Sequence, residues 1–279
     1  CGGGNEGEVL YLSPPNAIPA PYNTPRAIIE TLAHELQHLL HHSRALLATG
    51  SPLLKDNAYA LEGAAALAQD VTGYQAGNLY VTMAGLDEVN EVALGHLLGD
   101  TGAYDASRDG AFRGAAYLFM RWLYDRGGGD RVLEDGSVEN LGGPALMRTL
   151  IEEEASIWSA LPSLVGSTPE EIVADFYTAL ALSNREVRGE AKALNPCFRY
   201  LPVVSDPITE RQRGCNLYAT FHGFQMKGPK LQGASVADGS LQPGGVEFLR
   251  LKGKGNQHVS FTMGVDLGAK ARLRIARIK

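Results

Sequence analysis

The sequence predicts an α+β chain: a mostly helical domain with a minimal sheet over residues 1–195, then a small antiparallel β domain over residues 196–279. Three observations carry that prediction. Between residues 25 and 182, apolar side chains recur three and four apart, broken by Gly- and Pro-rich stretches. Beyond Asn195-Pro196 the apolar runs become short, alternating or β-branched. A chain of 279 residues with 44% hydrophobic and 20% charged side chains has room for one large or two unequal domains with a real core.

In chain order, Glu8-Val9-Leu10-Tyr11-Leu12 reads as a short strand stopped by Ser13-Pro14-Pro15, and residues 13–23 form a proline-rich connector. The strongest helix signal follows. Thr24 suits an N-cap, Pro25 suits the first helical position, and neither Gly nor Pro recurs before Gly50. With Ile28, Ile29, Leu32, Leu36, Leu39, Leu40 and Leu47 at helical spacing, this predicts a helix over 25–48. Further helices are predicted over 56–72, 85–98, 111–126, 143–154 and 168–182. The helix over 111–126 stops at Gly127-Gly128-Gly129; the last carries a capping-box pattern of Thr168, Pro169 and Glu171. Strand-like runs cover 216–222, 246–251, 258–263 and 271–278, separated by turn clusters such as Asp238-Gly239-Ser240 and Pro243-Gly244-Gly245. Arg272, Arg274, Arg277 and Lys279 then read as one solvated strand face.

Composition removes several functions. A net charge of −6 argues against a general nucleic-acid binder, which needs a basic surface. No run of about 18 apolar residues exists, so no transmembrane span is predicted. Cys197 and Cys215 would pair in an exported protein and stay thiols in a cytosolic one. Cys1, followed by Gly2-Gly3-Gly4-Asn5, leaves two readings open. It is either the lipid-anchored start of an exported, outer-surface bacterial lipoprotein or a fragment boundary.

The chemistry-bearing feature is His34-Glu35-Leu36-Gln37-His38, an H-E-x-x-H run inside the strongest helix. Residues four apart on a helix lie about 6 Å from one another on one face, so His34 and His38 can present two imidazoles to one cation. Zn²⁺ is the cation this pattern fits, and Glu35, one step round, can accept a proton from a water that zinc acidifies. With 7 His and 31 Asp+Glu in the chain, the pattern arises by chance about 0.02 times. A hydrolytic zinc site needs a third protein ligand. One extension of the motif places His six residues after the second His with Gly midway; Arg44 and His41 stand there, so that version fails. The other takes a Glu from the next helix. Glu62 lies there, among the small residues Gly63-Ala64-Ala65-Ala66 that let two helices approach. It is the candidate third ligand, with Asp70 second shell or surface. His41 is about 10 Å along the axis from His34 and is read as peripheral. His96 is a more distant candidate, and Asp100, Asp105 and Asp109 do not fit a calcium loop.

Ala33-His34-Glu35-Leu36-Gln37-His38, then Glu62-Gly63, Ala68-Gln69-Asp70 and Gly73-Tyr74, resembles the hyicolysin-like neutral zinc metallopeptidases, a gluzincin family. The likeness extends through Gly114-Ala115-Ala116-Tyr117-Leu118-Phe119 and the helix with Asp175-Phe176, covering about residues 5–185. It implies a zincin-like domain, a peptide or protein substrate, zinc on His34, His38 and Glu62, and Glu35 as general base. Two positions depart from the family. Where the resemblance places an oxyanion-stabilising Tyr, this chain has Ala111. Tyr117, Tyr104 and Arg113 are the donors left for that role, and Tyr117 is taken as the catalytic candidate. Only one strand precedes the active-site helix, which leaves a rival reading open: a non-catalytic surface lipoprotein or binding protein that keeps a zincin fold.

Overall fold

The structure, a computed structural model, describes residues 10, 12–20, 23–50, 58–74, 78–89, 94, 109–153, 156–183, 196–218, 220–221, 224–233, 245–252 and 274–275. It is mostly helical, with seven α-helices among the described residues. Helix α1 spans Pro25–Thr49, α2 Ala58–Val71, α3 Asn78–Asp87, α4 Asp109–Arg126, α5 Gly143–Glu152, α6 Ile157–Val165 and α7 Pro169–Leu182. A short antiparallel hairpin, β1 (Asp130–Val132) with β2 (Val138–Asn140), joins α4 to α5.

The ends of α1 follow from local chemistry. Thr24 Oγ1 accepts the Ala27 N–H at 3.2 Å, and Pro25 occupies a position whose N–H has no intrahelical partner anyway. Gly50 closes the helix at φ 66°, a left-handed geometry that suits glycine, with its N–H on the Leu46 carbonyl. The capping box on α7 is complete: Thr168 accepts from the Glu171 N–H, and Glu171 accepts from the Thr168 N–H.

Helix α4 is the hub. From Phe112 to Asp125 every residue except Arg113 is buried, and α2, α3, α5 and α7 pack around it. Two glycine contacts set the closest crossings. A Cβ on Gly63 of α2 would meet the Ala116 carbonyl oxygen at 2.8 Å. A Cβ on Gly85 of α3 would meet the Ala115 nitrogen at 2.5 Å. Further along, Phe119 meets Phe176 edge to face and Trp122 packs tilted against both, filling the centre between α4 and α7.

Residues beyond 196 share this core. Tyr200, Cys215, Leu217, Met226 and Phe248 belong to the same buried cluster as the helices. The Tyr200 hydroxyl donates to the Leu118 carbonyl at 2.8 Å, and Trp122 Nε1 donates to the Cys197 carbonyl at 2.8 Å. The strands here are two-residue bridges. β3 (Val204–Ser205) pairs with β4 (Gln212–Arg213), and β5 (Thr220–Phe221) with β6 (Phe224–Gln225), both antiparallel. β7 (Gln232–Gly233) pairs with β8 (Leu249–Arg250) in parallel, which corrects the expectation of a purely antiparallel sheet. Cys197 and Cys215 are both free thiols.

Other expectations also need correction. A helix over Asn78–Asp87 begins before the one predicted over 85–98; Glu88 and Val89 lie outside it, Leu94 is helical, and 90–93 and 95–98 lie outside the described residues. Gly85, the first residue of the predicted span, is a contact glycine inside α3. Helix α6, which the sequence reading does not include, carries Pro162 within it. The ring removes one amide hydrogen bond near the end of a nine-residue helix, a tolerable loss when Ser156 caps the start. Leu10 and Leu12 are irregular; the rest of the strand predicted over 8–12, the run 258–263 and most of 271–278 lie outside the described residues.

Helix α1 is turned the opposite way from an ordinary amphipathic helix. Glu30, His41 and Ala45 are buried, while Ile29, Leu36, Leu40 and Leu47 are exposed. The polar face that looks inward carries the candidate site.

Candidate metal centre

Helices α1 and α2 lie side by side and antiparallel. Glu30, early in α1, meets Gln69, late in α2; His38, later in α1, meets Glu62, early in α2. This brings three donor atoms together. His34 Nε2 is 3.2 Å from Glu62 Oε2 and 3.2 Å from His38 Nε2, and His38 Nε2 is 3.6 Å from Glu62 Oε1. Among the described residues, His34, His38 and Glu62 form the one group of three whose ligand atoms all lie within 4.8 Å of one another. Tetrahedral zinc with ligands at about 2.0–2.1 Å separates those ligands by about 3.3 Å. The three spacings bracket that edge.

The protonation pattern fits as well. Gln69 Nε2 donates to the Glu30 carbonyl at 3.0 Å, an oxygen that only accepts. The amide orientation is therefore fixed, and Gln69 Oε1 faces His34 Nδ1 at 3.2 Å. Nδ1 must be the protonated nitrogen, so a neutral His34 points a bare Nε2 at the cluster. Two imidazole nitrogens and a carboxylate then converge, and their facing lone pairs can be met either by a shared proton or by a cation.

Charge and burial act on the same groups. Burial lowers the proton affinity of His38, and His34 and His41 add to that, against the opposing pull of Glu62 and Glu35. The net shift favours the neutral imidazole, the form that ligates metal. Burial alone would push the Glu62 carboxyl up. The His34 hydrogen-bonding contact, Arg113 and His38 more than reverse it and hold the carboxylate below its ordinary range.

Glu35 is half-buried, and its charge acts on His38. Tyr117 is not at the cluster. It is fully buried, and its hydroxyl donates to Asp70 Oδ2 at 2.9 Å. Burial and the Asp70 charge push the phenol well above its ordinary range. Asp70 is not at the surface either: it is buried and also accepts from Arg121 at 2.9 Å and from the Gly214 N–H at 2.8 Å. Arg113, the weaker sequence candidate, is the donor that reaches the site, with Nη1 at 2.7 Å from Glu62 Oε2. His41 is buried on α1 and falls outside the group of three. Tyr104, His96, Asp100 and Asp105 lie outside the described residues.

Sequence reasoning missed Gln69 as a partner of the site. Its signal was present: Gln69 is seven residues from Glu62, two helical turns along one face of α2. Asp109 and Arg113, four apart on α4, likewise have the spacing of a helical ion pair. No family model, no curated protein and no solved structure matches this chain.

Proposed function

We propose that the chain is a zinc-dependent hydrolase of peptide bonds with a zincin-like helical domain. The observation that carries this reading is the convergence of His34 Nε2, His38 Nε2 and the Glu62 carboxylate from two antiparallel helices, with Gln69 fixing the His34 tautomer. Two His and one carboxylate are a donor set of the hydrolytic type, which leaves a fourth position for water or substrate. Zinc bound there would polarise the scissile carbonyl and acidify water. His34, His38 and Glu62 hold the ion. Glu35, one residue on from His34, accepts the proton of the attacking water and passes it to the leaving amine. Peptide as the substrate class comes from the resemblance of the motif and its surroundings to the hyicolysin-like peptidases.

The test pairs two measurements on one variant. Glu35→Gln keeps the shape of the side chain and removes its basicity. We expect about one zinc per chain in both proteins and loss of peptide hydrolysis in the variant. Hydrolysis retained by Glu35→Gln would exclude the assigned base.

One observation favours a second reading. Arg113 and the two imidazoles already give Glu62 cationic and hydrogen-bonding partners, so the cluster can close without an ion. The chain is then a non-catalytic binding protein. Purified protein that stays free of zinc after incubation with the ion would establish this reading over the first.

A further inference from the structure

The Asp109–Arg113 pair beside the cluster supports an inference that rests on the zinc reading above. Arg113 Nη1 donates to Glu62 Oε2 at 2.7 Å, while Nε faces Asp109 Oδ1 at 3.0 Å and Oδ2 at 2.8 Å. A carboxylate–guanidinium–carboxylate chain therefore runs from the first turn of α4 to the metal-facing side of α2. Of the three ligands, Glu62 has the most torsional freedom. The imidazoles are rigid rings, one of them tied to Gln69, whereas a Glu side chain turns about three bonds.

We propose that Arg113, clamped by Asp109, is a positioning residue that holds the Glu62 carboxylate on the cluster and so sets the affinity for zinc. Two effects of Arg113 oppose each other. Its charge repels an incoming cation, and its hydrogen bond aims a ligand at that cation. Asp109 decides between them. A carboxylate in contact with the same guanidinium offsets much of its charge at the site, and the directional hydrogen bond remains. The guanidinium fork also suits the task, because it can engage two carboxylates at once with fixed geometry.

Zinc affinity of the full chain, measured by competition with a chromophoric chelator, tests the proposal. We expect Arg113→Ala to weaken binding by about 10–100-fold. Asp109→Ala should weaken it in the same direction, and the double variant should bind no worse than Arg113→Ala alone, because both act through one chain of contacts. Arg113→Lys should restore only part of the loss, since a point ammonium cannot hold both carboxylates. In a Glu62→Ala background, Arg113→Ala should leave the residual affinity unchanged, a result that general loosening of α4 would not give. Asp109→Ala leaves Arg113 and Glu62 in place and reads the same chain if Arg113→Ala fails to fold. Binding by Arg113→Ala as tight as wild type, or an equal loss with Glu62 absent, overturns the proposal while the zinc reading stands. Wild-type protein that takes up no zinc overturns both.

Discussion

At the scale of single residues, the site is a competition among protons, a guanidinium and a cation for the same lone pairs. His38 shows the proton side. Its ordinary value is 6.5, and burial lowers it in the folded chain. The unfolded chain therefore takes up a proton at His38 before the folded chain does, so the metal-free protein loses stability as pH falls below about 6.5. Glu62 acts in a lower window. Its contribution is present above its ordinary value of 4.5 and is lost as pH falls through the depressed folded value. Urea midpoints of metal-free protein between pH 7.5 and 5.5 isolate the first effect. We expect the midpoint to fall across that range in wild type and to fall less in His38→Gln. Equal slopes would mean that burial of His38 carries no proton penalty. Gln69 works on the neighbouring ring by a different route: its Oε1 favours the proton on His34 Nδ1 and leaves Nε2 turned to the cluster.

At the scale of elements, the position of Glu62 is decided by its neighbour Gly63. Any Cβ at 63 would press on the Ala116 backbone, which cannot swing away as a side-chain tip can. Gly63→Ala should therefore push α2 off α4 at a cost of about 1–3 kcal/mol, despite the better helix propensity of alanine. It should also weaken zinc binding, because Glu62 moves with the backbone. A melting temperature at or above wild type would mean that α2 can shift without strain. The contrast with Gly85 shows what a sequence can and cannot display. The approach of His34 to His38 and the caps of α1 and α7 are legible, because helical spacing and N-cap chemistry are local; Glu62, on another helix, is found only through the motif's downstream-Glu extension. Gly85 and Pro162 show the limit, since a contact glycine and a tolerated proline carry the same letters as breakers. Leu36 and Leu40 mislead in another way. Helical periodicity finds the apolar stripe of α1 but not its direction, and the structure turns the histidine face inward. Tyr117 and Arg113 sit one turn apart on α4, yet only Arg113 reaches the cluster. The choice is made by the crossing of α2 and α4, which no local pattern records.

At the scale of the whole molecule, a break in sequence character near Asn195-Pro196 does not mark a break in packing among the described residues. Asp70 of α2 is buried and receives Tyr117 and Arg121 from α4 and the Gly214 N–H from beyond the break. Asp125, whose carboxyl burial pushes up, accepts from Arg121 and from the Leu201 N–H. Arg213 pairs with Asp130 at 2.7 Å. These are buried charges, and such groups are costly to leave without their partners, at about 3–5 kcal/mol when a pair is broken. Apolar contacts act in the same direction. Tyr200, Leu217, Met226 and Phe248 lie in the core with Trp122 and Phe176, and each large side chain buried there contributes about 1.5–3 kcal/mol. Set against a typical domain stability of about 5–15 kcal/mol, the region after residue 196 is part of what holds the helices together. The expected outcome for a chain ending at residue 195 follows. It should lack a cooperative thermal transition and lose zinc affinity, because Asp70 anchors the same helix that carries Glu62. Thermal unfolding and zinc titration of that truncated chain beside the full one provide the check. A truncated chain that melts cooperatively at the full-length temperature would show that the helices form an independent domain and that the shared core is dispensable.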